Sequence, residues 1–166
     1  MPIFTRRTPR STPSEAARSA LAGQRPLAHA RLRDEGEAVA TTSQLLILSG
    51  EDLHRLPWER IDSARADAEA GAVVVRTIDG EDVPLALADP ANAIAVVIRE
   101  RVEASIVHAR ERAAGPGLTV RVAIRRAADG SLSSQTSIVG GATTPRALAV
   151  AAELERETRE SVGLPD

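Results

Sequence analysis

The sequence predicts an α+β fold in which seven short antiparallel strands precede a helix, and a β-hairpin and a second helix follow. Short apolar runs separated by turn residues recur about every 6 to 12 residues from Leu27 onward, which is typical of an antiparallel meander. Helix-periodic stretches follow Asp89-Pro90 and Thr144-Pro145. These changes of period place the sheet first and the helices after it.

Residues 1–26 are predicted to be a flexible basic arm. Five arginines and one glutamate give this segment a net charge of +4, which leaves −6 on the remainder of a chain whose total is −2. A segment rich in Arg, Pro, Ser and Thr without apolar periodicity is usually disordered, although residues 14 to 22 suit a helical turn or two. The arm is expected either to stay solvated or to dock on an acidic surface.

Seven strands are predicted in the next segment. Asp79-Gly80 is its strongest turn signal, because Asp-Gly accepts the positive φ angles of a tight hairpin. The strands are expected near Leu27 to Arg33, Glu37 to Thr42, Leu45 to Ser49, Leu53 to Leu56, Ile61 to Ala66, Ala72 to Ile78 and Val83 to Leu87.

The first long helix is predicted to begin at Asp89, whose carboxylate can cap free amides, with Pro90 at the first helical position. Gly115-Pro116-Gly117 is predicted to end it. Residues 27–114 are therefore expected to form one domain, a sheet capped by a helix. The predicted apolar stripe is Ile94, Val97, Ile98, Val102, Ser105 and Ile106.

Residues 115–166 are predicted to be an appended hairpin and helix that pack on this domain as one compact unit. Apolar and polar residues alternate from Leu118 to Arg125, Asp129-Gly130 supplies the turn, and the chain returns over residues 131–139. The helix is expected to start at Thr144-Pro145 and to end at Gly163.

Three segments resemble those of small bacterial pleckstrin-homology-like (PH-like) domains. Thr41-Thr42-Ser43-Gln44-Leu45-Leu46-Ile47-Leu48 looks like their strand pair, and Leu56-Pro57-Trp58-Glu59-Arg60-Ile61 is similar to their Pro-centred approach to the next strand. Val73-Val74-Val75-Arg76-Thr77, Gly80 and Leu85-Ala86-Leu87 match the two strands after it and their turn. Residues 27–162 also resemble a group of high-G+C bacterial proteins. The resemblance implies a seven-stranded PH-like barrel or sheet with a binding role.

The residue inventory excludes several kinds of chemistry. The chain has no Cys, Lys or Tyr, so disulfides, thiolate nucleophiles, Schiff bases and a P-loop lysine are absent. The three histidines lack metal-ligand spacing. We therefore predict a non-enzymatic protein without catalytic residues, cofactor or metal. A small hydrolase-type enzyme that uses His54 or His108 with carboxylates, in a cleft beside the appended unit, is the alternative.

An unidentified protein partner is predicted, with Trp58, Arg60, Arg121 and Arg125 as its contact surface, because aromatic residues and Arg dominate interface hot spots. Core filling is the favoured interpretation of Trp58, which would be an interface anchor if it were exposed. Nucleic acid is not expected as a partner.

Peripheral binding to anionic lipid is the second alternative, although Asp34, Glu35 and Glu37 counter Arg31 and Arg33 in the first turn. No apolar stretch reaches the length of a membrane span, so we expect a soluble cytoplasmic protein. Its assembly is left open between a monomer and a homodimer paired through the exposed hairpin.

Overall fold

A computed structural model of the chain describes residues 12–165. It contains three α-helices, ten strands and one short 3-10 helix within that range. In chain order these are α1 (Glu15–Ala20), β1 (Ala28–Arg31), β2 (Glu37–Ala40), β3 (Gln44–Ser49), β4 (Asp52–Pro57), the 3-10 turn (Trp58–Arg60), β5 (Ile61–Asp67), β6 (Ala72–Thr77), β7 (Asp82–Ala86), α2 (Ile94–Ser105), β8 (Ile106–Gly115), β9 (Leu118–Arg126), β10 (Leu132–Val139) and α3 (Pro145–Ser161).

The α+β class and the seven predicted strands are confirmed, each with bounds within a few residues of the prediction. They form two antiparallel sheets in chain order, β1-β2-β3-β4 and β5-β6-β7. A single antiparallel bridge between Leu32 and Leu87 joins the end of β1 to the end of β7. The sheets do not close into a barrel, so the closed form of the predicted architecture is absent.

The main core lies between these two sheets and α2. Most of its side chains are aliphatic. The strands supply them from one face, because alternate residues of a strand point to the same face. Helix α2 contributes Ile94, Ile98 and Val102 from one side, as its 3.6-residue period requires. The bridge residues Leu32 and Leu87 also belong to this core. Its strand residues are Ala30, Ala38, Ala40, Leu45, Ile47, Ile61, Val73, Val75 and Leu85.

Helix α2 is shorter than predicted at both ends. It begins at Ile94 because Asp89 closes a separate turn, in which its Oδ1 accepts from the Ala91 amide at 3.0 Å, and Asn92 Oδ1 accepts from the Ile94 amide at 2.9 Å. It ends at Ser105, and the segment predicted as its last turns is strand β8.

Strand β8 was missed because residues 106–115 contain helix formers such as Ala, Arg and Glu, whose intrinsic preference is weak and is overridden by tertiary contacts. Here β8 pairs with β9, and its arginines bind α3: Arg112 Nη2 lies 2.8 Å and Arg110 Nη1 3.2 Å from Glu157 Oε2. Strand β8 therefore belongs to the third sheet. The first two sheets with α2 are called the first unit below, and the third sheet with α3 is called the second unit.

The predicted hairpin and C-terminal helix are confirmed. Strands β9 and β10 pair around the Asp129-Gly130 turn, and β8 adds a third strand in the order β10-β9-β8. Helix α3 begins with Thr144 Oγ1 accepting from the Ala147 amide at 3.1 Å, and Pro145 follows at its first turn. A second small core forms beneath it from Ala114, Leu118, Val120, Val122, Ile138, Ala147, Val150, Ala151 and Leu154.

Part of the predicted flexible arm is ordered. Residues 1–11 lie outside the described range, but residues 15–20 form α1, whose Ser14 Oγ accepts from the Ala17 amide at 3.1 Å. Ala17, Ala20 and Leu21 are buried against Val39 and Leu46 of the first sheet. Because these apolar residues recur at helical spacing, they bury a face that the arm's polar composition concealed.

No helix within residues 12–165 is long and apolar enough to cross a membrane.

Candidate functional site

Trp58 lies in the core and is only 4% exposed, which confirms core filling and corrects its inclusion in the predicted contact surface. The 3-10 turn after Pro57 carries its ring inward, and the indole Nε1 donates to the Thr41 carbonyl at 3.1 Å. That bond satisfies the one polar atom of the ring. Trp58 is the only Trp in the chain, and its indole is larger than the aliphatic side chains that surround it in the core.

Arg125 is buried as well, at 1% exposed, and this also corrects the predicted surface. Its Nε donates to Gln135 Oε1 at 2.8 Å, its Nη1 to Ser105 Oγ at 2.9 Å and its Nη2 to the Asp62 carbonyl at 3.0 Å. Gln135 Nε2 in turn donates to Asp62 Oδ1 at 3.0 Å. Arg125 therefore connects β9, β10, the end of α2 and β5, and it fastens the third sheet to the first unit.

Burial lowers the pKa of Arg125 below its ordinary value, since a charge is disfavoured away from water. The Asp62 carboxylate acts in the opposite direction, and the Arg121 guanidinium adds to the lowering. An arginine stays charged under such a shift because its ordinary pKa is so high. The side chain is therefore a buried cation whose hydrogen bonds are filled by its own chain.

Arg60 and Arg121, the other two predicted contact residues, are at least partly exposed and bound to their own chain. Arg60 Nη2 lies 2.6 Å from Asp79 Oδ2, and Arg121 Nε lies 3.7 Å from Glu111 Oε1. The four predicted residues therefore do not form one surface. Any role for Arg60 and Arg121 in partner binding stays a prediction.

The three histidines lie apart in the fold. His29 on β1 is 3.1 Å from Glu37 Oε2, whereas His54 is exposed on β4 and His108 on β8. Within residues 12–165 no group of three or more His, Asp or Glu residues is placed to hold a metal ion.

A small cleft lies where the two units meet, and it is partly open to solvent. Its volume is about 110 Å³. The turn between β2 and β3, the 3-10 turn, the last turns of α2 and the turn after β9 supply its walls. The residues lining it are Thr42, Ser43, Trp58, Glu59, Arg101, Ala104, Ser105, Arg126, Ala127 and Ala128.

The turn between β2 and β3 is held rigid by Thr41, a buried threonine. Its Oγ1 accepts from the amides of Ser43 and Gln44 and donates to the Gln44 carbonyl at 2.9 Å. Trp58 is anchored to the same turn through the Thr41 carbonyl. One wall of the cleft is therefore a turn that hydrogen bonds hold in place.

The charge of the cleft comes from Arg101, Arg126 and Glu59, which sum to +1. Neither arginine makes an ion pair with a carboxylate within the described residues. Alternation along β9 places Arg126 on the opposite face from Arg121 and Arg125. Arg101 gave no sequence signal, since it is one of several charges on a helix.

A second depression, of about 390 Å³, lies beside the turn between β1 and β2. Its charged residues are Arg31, Arg33, Glu35 and Glu37, which cancel. Arg33 Nε is already bound to the Leu87 carbonyl at 3.1 Å. Because these charges cancel and Arg33 is already hydrogen-bonded, the depression does not favour binding of a polyanionic lipid headgroup.

Comparison of the chain with protein-family models, with curated proteins and with solved structures finds no significant match.

Proposed function

We propose that this chain is a PH-like protein-binding module that holds an acidic group of its partner in the cleft beside Trp58. The PH-like assignment is supported by the succession of a four-stranded and a three-stranded antiparallel sheet with one helix packed on their shared core. The third sheet and α3 are an addition to that plan, fastened through Arg125.

The proposal depends mainly on the positive charge of the cleft, one wall of which is held by the hydrogen bonds of Thr41. Arg101 and Arg126 border one space and lack carboxylate partners among the described residues, and an Arg guanidinium binds a carboxylate through two parallel hydrogen bonds. The hydroxyl of Thr42 adds a donor at the same rim.

The size of the cleft favours a protein partner over a small-molecule substrate. Pockets that enclose small molecules commonly measure about 300 to 1,000 Å³, whereas this one is about 110 Å³. It accommodates one carboxylate-bearing side chain or a chain terminus. The remaining affinity then comes from the surrounding surface, as in other interfaces where a few anchored residues dominate.

The test compares affinity capture from extract of the source cells by the wild-type protein, by R101Q/R126Q and by R65Q/R146Q. Arg65 and Arg146 are exposed, lie away from the cleft and carry no ion pair among the described residues, so the second variant matches the first in charge. A partner recovered by the wild type and by R65Q/R146Q, but lost with R101Q/R126Q, is expected. Trp58 fluorescence should change when that partner is added to the wild type, since Trp58 lines the cleft.

Equal recovery by all three proteins would place the binding surface elsewhere. Recovery of no partner by any of them would contradict the binding role itself. Circular dichroism of the variants shows whether a loss of capture reflects the cleft rather than the fold.

A further inference from the structure

Strand β10 has a free edge. It pairs with β9 over its whole length without a register shift, and no other described strand pairs with it. At the turn the Ala127 amide donates to the Ser131 carbonyl at 2.9 Å, and alternate residues of an antiparallel ladder bond to the same neighbour. The backbone N–H and C=O groups that point to the free edge are therefore those of Leu132, Ser134, Thr136 and Ile138.

This edge lacks the features that usually keep strand edges from pairing. Charged residues, prolines and bulges are the common protections, and β10 contains none of them. The other edge strands do contain them. β1 carries Arg31, β4 carries Asp52, Arg55 and Pro57, β7 carries Asp82 and Pro84, and β5 and β8 carry both charges and register shifts.

The sequence of β10 is nearly the same in both directions about Gln135. Leu132 mirrors Ile138, Ser133 mirrors Ser137 and Ser134 mirrors Thr136. Two antiparallel copies centred on Gln135 would thus place apolar residues opposite apolar residues and hydroxyls opposite hydroxyls. The four outward-facing residues of one copy would meet those of the other in register, which matches their backbone donors and acceptors.

We propose that two copies of this chain pair through β10 about a two-fold axis at Gln135, which joins their three-stranded sheets into one of six strands. The interface is isologous, as most homodimer interfaces are. Helix α3 leaves room for it because it packs chiefly on β8 and β9. Its contacts to β10 include Ile138 at the edge of the small core and two hydrogen bonds, in which Glu155 accepts from Ser134 Oγ at 2.5 Å and from Thr136 Oγ1 at 3.0 Å.

The first experiment measures molar mass by light scattering over a range of concentrations. The wild type should approach twice the chain mass of 17.5 kDa as concentration rises. S133E/S137E sets like charges opposite each other across the axis and should stay monomeric, while each new carboxylate lies beside an arginine of its own β9, Arg125 or Arg121. S133E/S137K makes the facing pairs opposite in charge and should restore the dimer.

The second experiment tests the register by disulfide formation, for which the chain offers no native cysteine. In the proposed pairing Ser133 faces Ser137 of the other copy, so S133C/S137C should crosslink under mild oxidation. S133C and S137C alone should not, because the like positions are four residues apart along the strand, or about 13 Å, and a disulfide needs Cα atoms within about 7 Å.

A wild-type protein that is monomeric at every concentration overturns the proposal. So does a dimer that persists in S133E/S137E or is not restored in S133E/S137K. Crosslinking of the single-cysteine variants at the rate of the double variant would contradict the register centred on Gln135.

Discussion

The guanidinium of Arg125 donates from Nη2 to the backbone carbonyl of Asp62 across 3.0 Å. This bond connects β9 of the third sheet with β5 of the first unit. Because the same side chain also binds Ser105 and Gln135, one buried cation holds three separate segments of the chain in place.

Arg125→Ala is expected to lower the free energy of unfolding by about 3 kcal/mol, since it leaves the buried Ser105 and the partly buried Asp62 and Gln135 without their hydrogen-bond donor. Urea denaturation followed by circular dichroism measures this. Arg126→Ala is the matched control: the neighbouring residue is exposed, so its effect should stay within about 0.5 kcal/mol. Equal effects of the two substitutions would show that the Arg125 network does not stabilise the fold.

Trp58→Phe should cost about 1 kcal/mol or more, because Phe keeps most of the apolar contact but leaves the Thr41 carbonyl without the indole N–H. Trp58→Ala should cost about 3 to 5 kcal/mol, as for other large core side chains. Thermal or urea unfolding followed by far-ultraviolet circular dichroism compares them, since neither variant retains a Trp. In the wild type, Trp58 emission should move to longer wavelength on unfolding; an unchanged wavelength would contradict its burial.

The contrast between strands and sites explains what the sequence could and could not predict. Strands β1 to β7 were predictable because each is a short apolar run between turns rich in Gly and Asp. Most of them also pair with the strand next to them in the chain. The burial of Arg125 was not, since its partners Asp62 and Ser105 lie 63 and 20 residues away. Alternation alone also cannot distinguish a solvated strand face from one covered by a distant segment. The cleft at Arg101 and Arg126 is formed only when such segments meet.

The stability of the protein should fall in acid through Glu37. Burial acts to raise the pKa of this carboxyl, but the amide of Ser14 and the side chain of His29 bind the charged form and hold the pKa below its ordinary value of 4.5. A group with a lowered pKa in the folded state stabilises fully above the ordinary pKa and loses that contribution as pH falls through the folded pKa. The free energy of unfolding should therefore decline below about pH 4.5.

Glu37→Gln should make that acid decline less steep and should weaken the attachment of α1, because the charged acceptor of the Ser14 amide is lost. Urea denaturation at a series of pH values measures both. Glu51→Gln is the control, as Glu51 is exposed in the turn between β3 and β4. If the free energy of unfolding depended on pH in the same way for Glu37→Gln and wild type, Glu37 would not contribute to the loss of stability in acid.

Gly140→Ala should destabilise the third sheet strongly, whereas Gly141→Ala should not. Gly140 has a φ of +105°, and a Cβ built there would lie 1.8 Å from the carbonyl oxygen of Gly117. The loop between β10 and α3 touches the turn between β8 and β9 at this point, and two backbones cannot separate as a flexible side chain would. Together with the positive φ, this predicts a loss of about 2 to 3 kcal/mol in the free energy of unfolding.

Gly141→Ala is the matched control. At Gly141 the nearest atom is a methyl carbon of Leu118 at 3.5 Å, which is an ordinary contact, and φ lies outside the left-handed region. The free energy of unfolding should therefore change by no more than about 0.5 kcal/mol. Urea denaturation of the two variants gives the comparison, and similar losses at both positions would show that the turns do not approach each other at Gly140.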